Sequence, residues 1–275
     1  MTGTLAQLIA LTAYGNAYLT TGNLLDFYAS NTTFQFCKSV DFVAFKKPFL
    51  FSNFSKPKET IVAATPTDWF KLVKKDGCKK LRLYFQYSKD QSLAQDHKLA
   101  GMVGGGGTWL IEAIYDNDSD YWANRWEVKD QNAQDRKIWK VSYVMTASHN
   151  KTTNLQVDLD SIKEKISQTL IEIADFAYQH DYKGWGEQFD KAKATLSDKN
   201  PKENFYHKDL IITDNYSLVA QQVLFAAGNA WVFGGMGSWN DIVFDNNDDE
   251  KKYDELSAKL YDDINQSILA AVNSY

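Results

Sequence analysis

The spacing of apolar residues changes once along this chain, near residue 150. From Asp158 onward, apolar side chains recur every three or four positions, which is the period of one helix face. The clearest stripe consists of Ile162, Ile166, Leu170, Ile173 and Ala177. Further apolar segments predict three more helices, at 185–196, 218–233 and 253–268. The second half of the chain is therefore predicted to be helical.

The first half is dominated by alternation instead. Between Leu81 and Tyr87 every second residue is apolar, which predicts a strand with one buried face. Similar strand patterns occupy 34–43, 98–115, 121–128 and 138–145. A helix begins near Leu5, and a second is predicted over 66–76, because Thr65 suits the N-cap and Pro66 the first helical position.

Strands followed by helices, without regular alternation, predict an α+β fold. We expect an antiparallel sheet in the N-terminal half, from about residue 34 to 146, packed with a C-terminal group of helices. The polar segment near residue 150 divides the chain into 1–150, an N-terminal helix plus the sheet, and 151–275, a helical region. One continuous domain is an equal alternative, because the first helix needs the sheet or the later helices to cover it.

Turn length and hydrophobic register predict which side chains share a sheet face. If a four-residue loop joins Asp116 to Tyr121, Glu112 lies opposite Arg125, and Lys140 follows in the same row on the next strand. The other face then carries aromatic and apolar side chains: Trp109, Ile111, Tyr115, Trp122, Trp126, Trp139 and Tyr143.

The charged row has two interpretations. It is either a solvated ladder, in which each cross-strand pair contributes ~0.2–1 kcal/mol, or the floor of a cleft beneath the C-terminal helices. In the second case Glu112, with a partner carboxylate and Arg125, would be the catalytic residues of a hydrolase.

The tryptophan-rich face also has two interpretations. Aromatic side chains dominate protein cores, so this face is expected to pack against helices. The alternative is an open platform for sugars or other small ligands, with Trp109, Trp122, Trp126 and Lys140 as the ligand-binding residues.

Charge is uneven along the chain. The 275 residues carry a formal net charge of −5 and have a pI of about 5.4, which argues against a dedicated nucleic-acid binder. Residues 38–98 contain thirteen Lys and Arg against six acids, whereas 241–263 contain nine acids against three lysines. These regions are either solvated faces or surfaces that contact each other, a second copy or an unknown protein partner.

No segment has the spacing of a metal or nucleotide site, so we expect no metal and no organic cofactor. The glycines at 104–107 lead into a strand pattern, whereas a phosphate loop leads into a helix. A close approach of another backbone or an aromatic ring explains them better. Asp116, Asp118 and Asp120 begin like a calcium loop, but Tyr121 occupies the position that requires glycine.

The remaining features predict a cytoplasmic protein without membrane contact. The N-terminal apolar stretch is interrupted by Gln7 and Asn16 and lacks preceding basic residues, unlike a signal peptide. Cys37 and Cys78 cannot build a disulfide framework.

No catalytic motif for a nucleophile or a metal occurs in the chain. We therefore expect a non-catalytic binding or protein-interaction protein. The hydrolase and the carbohydrate or small-ligand sensor are the two alternatives.

Overall fold

This computed structural model describes residues 1–23, 25–46, 58–88, 96–100, 102, 105–150 and 157–275. These residues contain six strands and seven α-helices. The strands are β1 (Cys37–Lys46), β2 (Lys58–Ala63), β3 (Lys80–Gln86), β4 (Thr108–Ile114), β5 (Ser119–Val128) and β6 (Trp139–Asn150). The helices are α1 (Gly3–Thr21), α2 (Pro66–Lys75), α3 (Asp96–Leu99), α4 (Leu159–Gln179), α5 (Lys183–Thr195), α6 (Leu218–Asn229) and α7 (Asn247–Asn273).

The six strands form one mixed sheet in the order β2-β1-β6-β5-β4-β3. The strands β1 and β6 run parallel, and every other neighbouring pair is antiparallel. The α+β class is confirmed, with the sheet in the first half and a group of helices in the second. The expectation of a purely antiparallel sheet is wrong. Hairpin reasoning follows neighbours in sequence, whereas β1 joins the sheet beside the last strand, about a hundred residues later in the chain.

One face of the sheet, termed the core face, packs against α1 and α2. The ring of Trp69 on α2 stacks on Phe42 of β1, with 4.4 Å between their centroids. Phe42 in turn stacks on Tyr143 of β6 at 5.0 Å. Trp122 of β5 meets Trp69 edge-on at 5.5 Å. These rings are fully or almost fully buried, so aromatic packing attaches α2 to the centre of the sheet.

The four helices α4 to α7 pack against one another, and α7 also contacts α1 and β3. Asp158 caps α4 by accepting a hydrogen bond from the backbone N–H of Ser161. Asn246 caps α7, whose first turn is acidic, as the helix dipole favours. A single cluster of buried apolar side chains includes residues from the sheet, from α1 and from the helices of the second half.

The outer edge of β3 is covered by two buried asparagines. The side-chain amide of Asn16 on α1 accepts from Leu81 N at 2.7 Å and donates to Leu81 O at 2.8 Å. Asn273, at the end of α7, does the same for Leu83, with both distances at 2.8 Å. Each amide therefore replaces the neighbouring strand that this edge lacks.

Gly105, Gly106 and Gly107 directly precede β4, and Gly104 lies outside the described residues. A Cβ on Gly107 would lie 2.6 Å from the ring of Phe85, and its φ is +80°. The hydroxyl of Tyr261 on α7 donates to the carbonyl of Gly106. Here the predicted close approach of an aromatic ring is present, and glycine is required for it.

Among the described residues, no helix has both the length and the apolar character that crossing a bilayer requires.

Candidate functional site

Glu112, Arg125 and Lys140 lie on the sheet face opposite to the core face, here termed the polar face. The pairing predicted for them is wrong. Glu112 lies opposite Tyr121, and Arg125 lies opposite Ser142. The three charged residues therefore share a face without forming one straight row.

The register differs because the β4–β5 turn is placed earlier than predicted. The backbone N–H of Tyr115 donates to Asp118 O at 2.9 Å, and Ile114 already pairs with Ser119. This shifts the partner of Glu112 by four residues, from Arg125 to Tyr121. An even shift keeps every side chain on its predicted face.

Glu112 is fully buried and belongs to a closed cluster. Its carboxylate accepts from Arg82 Nε at 2.7 Å and lies 2.5 Å from Arg82 Nη2. The hydroxyl of Tyr121 donates to the other carboxylate oxygen at 3.0 Å. Burial, and then this bond to Glu112, raise the pKa of Tyr121 to about 12. The cluster neutralises a buried charge, and the carboxylate is not exposed to a substrate.

Arg125 makes a forked ion pair at the more open part of the polar face. Its Nη1 and Nη2 donate to the two carboxylate oxygens of Glu59 on β2, at 2.9 and 3.0 Å. These bonds lower the pKa of Glu59. Lys140 lies 3.6 Å from the carboxylate of Asp41 on β1. Arg125 Nε also lies 3.6 Å from the carboxylate of Glu127. The charges of this region are thus distributed over three ion pairs, in which Asp41 is buried and the other members are half-buried or exposed.

Three neighbouring polar atoms on this face are buried without a hydrogen-bond partner among the described residues: Asp41 Oδ1, Ser142 Oγ and Arg125 Nε. Asp41 lies directly opposite Ser142, which lies directly opposite Arg125. Because a buried polar group without a hydrogen bond costs ~1–3 kcal/mol, this row is the most poorly satisfied part of the polar face.

The tryptophans predicted as a ligand platform lie on the core face. Trp122 is fully buried, and Trp109 and Trp126 are partly buried and packed against the same cluster. Trp126 meets Trp139 edge-on at 5.9 Å. These rings are arranged as a core, with their faces directed to other protein groups.

The basic and acidic regions of the sequence are in contact within the molecule. Lys98 Nζ lies 2.7 Å from the carboxylate of Asp254 on α7. The hydroxyl of Tyr87 also donates to the carboxylate of Asp262. Contact between these regions inside one copy therefore explains part of the charge asymmetry.

A threonine, a histidine and an aspartate come together between the two halves of the chain. Thr32 Oγ1 lies 2.7 Å from His207 Nδ1 and donates to Asp209 Oδ1. The backbone N–H of Thr32 also donates to Asp209 Oδ2 at 2.7 Å. Burial lowers the pKa of His207. A catalytic triad places the histidine between nucleophile and carboxylate, whereas here the hydroxyl lies between them. We interpret the cluster as a structural connection between distant segments.

A second candidate site lies among the helices, at the start of α5. The chain after α6 passes through a glycine-rich turn and faces the α4–α5 junction, leaving a groove of about 870 Å³. We term it the tryptophan groove. Its lining residues are Asp181, Tyr182, Lys183, Gly184, Trp185, Gln188, Trp231, Val232, Phe233, Gly234, Gly235, Met236, Gly237 and Ser238.

The aromatic side chains of the groove are held in place from behind. Trp231 Nε1 donates to Phe233 O at 2.8 Å, and the Trp231 ring meets Tyr261 edge-on at 6.0 Å. Trp185 packs edge-on against the buried ring of Trp239 at 5.9 Å. Both indoles are only partly buried. The groove therefore offers fixed aromatic surface to solvent.

Sequence reasoning missed this groove. The apolar pattern predicts a helix over 218–233, but α6 ends earlier, at Asn229, which leaves Trp231 and the glycines after it outside the helix. Trp185 and Trp231 are 46 positions apart, and only the packing of α5 against α6 brings their segments together. The local signal was the combination of tryptophan and glycine at 231–237.

Among the described residues, no group of three His, Cys, Asp or Glu side chains is arranged to hold a metal ion. His149 Nδ1 lies 2.5 Å from the Asp118 carboxylate on the β4–β5 hairpin, but this is an exposed pair.

Comparisons with protein families, with curated proteins and with solved structures found no match.

Proposed function

We propose that this chain is a non-catalytic binding protein that holds a saccharide in the tryptophan groove. The observation that carries the proposal is the groove itself, with a volume of about 870 Å³ and with Tyr182, Trp185 and Trp231 on its walls. Small-ligand sites have volumes of about 300–1,000 Å³ and combine aromatic walls with a few polar groups.

The chemistry of the lining favours a neutral ligand with one apolar and one polar side. Indole and phenol rings offer flat apolar surface, and a sugar ring presents C–H groups that pack on such surface. The Asp181 carboxylate and the amide oxygen of Gln188 can accept hydrogen bonds from ligand hydroxyl groups, whereas the amide nitrogen of Gln188 already donates to Asn229 O. Among the described residues of the lining, Asp181 and Lys183 carry charge and are opposite in sign. No excess of charge therefore calls for an ionic ligand.

The same lining supports binding without hydrolysis. Hydrolysis of a glycosidic bond ordinarily needs two carboxyl groups placed about 5–9.5 Å apart across the bond. Among the described residues that line the groove, Asp181 is the one that carries a carboxylate. The hydrolase alternative relies on Glu112, which is fully buried and bound to Arg82.

Titration of the protein with a panel of neutral oligosaccharides, followed by tryptophan fluorescence and calorimetry, tests the proposal. We expect one member of the panel to bind, and Trp231→Ala to weaken that binding at least tenfold. Trp126→Ala is the matched control, since Trp126 is a partly buried tryptophan on the sheet, outside the groove. The proposal fails if none of the saccharides binds, or if Trp231→Ala binds as well as the control. Release of reducing ends that Glu112→Gln abolishes would favour the hydrolase instead.

We further propose that the protein acts in the cytoplasm. Cys37 and Cys78 are both free and buried, which suits a reducing compartment. Burial raises the pKa of the Cys78 thiol to about 12, so it is an unreactive thiol rather than a nucleophile.

A further inference from the structure

The hydrogen-bond donors of the tryptophan groove are largely bound to acceptors of the protein itself. The indole N–H of Trp231 is occupied, as described above. Gln188 Nε2 donates to Asn229 O at 2.6 Å. The hydroxyl of Ser238 donates to the side-chain oxygen of Asn240 at 2.9 Å. These walls therefore offer a ligand few free N–H or O–H groups.

Two side-chain acceptors of the lining remain available. Because Asn229 O is itself an acceptor, the Gln188 atom beside it must be the nitrogen, which leaves Gln188 Oε1 to accept from a ligand. The second acceptor is the Asp181 carboxylate, which has no hydrogen bond or ion pair with another described residue. A ligand that presents hydrogen-bond donors therefore fits this groove better than one that presents only acceptors.

The backbone at Asp181 makes this side chain unusual. Helix α4 ends in a Schellman motif, in which Tyr182 N donates to Ala177 O at 2.8 Å and Asp181 N donates to Tyr178 O at 3.2 Å. Asp181 has a φ of +61°, in the left-handed region. Glycine is the usual residue at this position, because it adopts that conformation without the steric penalty of a Cβ. A side chain is thus retained where the backbone alone would favour glycine.

Neither adjoining helix accounts for the Asp181 carboxylate. The C-terminus of α4 is the negative end of the helix dipole, which opposes an acid there. The N-terminus of α5 favours an acid, but no side-chain hydrogen bond caps it. The carboxylate does line the groove, and a left-handed backbone at a residue other than glycine is a pointer to function.

We propose that Asp181 is the specificity-determining residue of the tryptophan groove, where its carboxylate accepts hydrogen bonds from two hydroxyl groups on adjacent carbon atoms of the saccharide. This inference rests on the proposed function and names its ligand class, a neutral saccharide with a free vicinal diol. Each of the two carboxylate oxygens accepts from one hydroxyl group. Gln188 Oε1 adds a third acceptor on the side of α5 that carries Trp185, because these two residues are one helical turn apart. Acidic saccharides are disfavoured, because their charge repels the carboxylate.

Calorimetric titration of the full chain with maltotriose, cellotriose, laminaritriose and mannotriose tests the proposal. For the trisaccharide that binds, we expect Asp181→Gly to lower the affinity roughly thirtyfold, because hydrogen bonds to a charged group are lost. Asp181→Asn should lower it about tenfold, since the amide keeps one acceptor oxygen. The unfolding temperature of Asp181→Gly should be unchanged or higher, because glycine suits the backbone.

Arg136→Gly is the matched control for these variants. Arg136 is also an exposed, charged residue with a left-handed backbone, at φ +59°, and it lies outside the groove. This variant should bind the trisaccharide as tightly as the wild-type protein does.

Monodeoxy derivatives of the same trisaccharide identify the hydroxyl groups that Asp181 contacts. In the wild-type protein, replacement of either of two neighbouring hydroxyl groups by hydrogen is expected to weaken binding about tenfold. In Asp181→Gly the same replacements should change the affinity less than about twofold, because the hydroxyl groups have already lost their partner.

The inference is overturned if Asp181→Gly binds the trisaccharide as tightly as the wild-type protein while Trp231→Ala does not. The groove would then hold a saccharide without this contact, and the proposed function would stand. A clearly lower unfolding temperature of Asp181→Gly would also overturn it, because the carboxylate would then have a structural role. If no trisaccharide binds the wild-type protein, the proposed function fails and this inference fails with it.

Discussion

The two faces of the sheet stabilise the molecule by different means. The core face is covered with aromatic rings from β1, β5, β6 and α2 that stack or meet edge-on. The polar face carries ion pairs that range from the fully buried Glu112–Arg82 pair to the exposed Glu59–Arg125 pair. Because burial decides how much each contact contributes, the two faces should respond very differently to mutation.

The largest effect is expected on the core face. Trp122→Ala removes a fully buried indole and leaves a cavity among Phe42, Trp69 and their neighbours. We expect the free energy of unfolding to fall by about 3–5 kcal/mol, measured by urea denaturation. Trp126→Ala, at a partly buried position of the same strand, should lower the free energy of unfolding clearly less. Equal losses would mean that burial does not rank these positions.

The buried ion pair should come next. Arg82→Met leaves the Glu112 carboxylate buried without its cation, and we expect a loss of about 3 kcal/mol. Replacing both residues, as Arg82→Met with Glu112→Leu, should restore much of that loss, because no buried charge remains. If the double variant is as unstable as Arg82→Met, the Arg82–Glu112 ion pair itself stabilises the folded state, and the loss is not due to an unpaired buried charge.

Ser142→Ala should have a small effect of the opposite sign. The Ser142 hydroxyl is buried without a hydrogen bond, so its removal is expected to leave stability unchanged or raise it by up to about 1 kcal/mol. Thermal and urea unfolding beside the wild-type protein would measure this. A clear loss of stability would mean that the hydroxyl is bonded in solution.

The exposed Glu59–Arg125 pair on the polar face should contribute least to stability, and this contribution should depend on pH. Arg125 holds the pKa of Glu59 below its ordinary value of 4.5, so the folded state favours the charged carboxylate. The stabilisation is therefore complete above pH 4.5 and is lost as the pH falls through the lowered pKa. Glu59→Gln should be slightly less stable than wild type at neutral pH, and the difference should vanish in acid. A difference that persists at low pH would point to a contact other than charge.

The sequence contains enough information for the faces but not for the pairing of distant strands. Alternation assigns Glu112 and Trp122 to opposite faces, because every second residue of a strand shares a face and the apolar faces of neighbouring strands are buried together. The turn between β4 and β5 was misplaced, yet the even shift left the faces correct. The parallel contact of β1 with β6 depends on segments about a hundred residues apart, for which no local pattern exists.

The candidate site shows the same limit. Arg82 was visible as a polar position in an alternating strand, but its partnership with Glu112 follows from the β3–β4 register, which the sequence did not define. Strand β2 escaped prediction because it is short and begins with two charged residues. The tryptophan groove depends on helix packing, and its residues carry no common period along the chain.

The asparagine that covers Leu83 has a consequence for the order in which the chain is made. Leu83 and Asn273 are separated by 190 positions. On the ribosome the N-terminal residues emerge first, at about 5–20 residues per second. The sheet can thus assemble while Leu83 still lacks the amide of Asn273, and for that interval its outward backbone groups can pair with a foreign strand. Completion of α7 ends this interval, because its final turn carries Asn273.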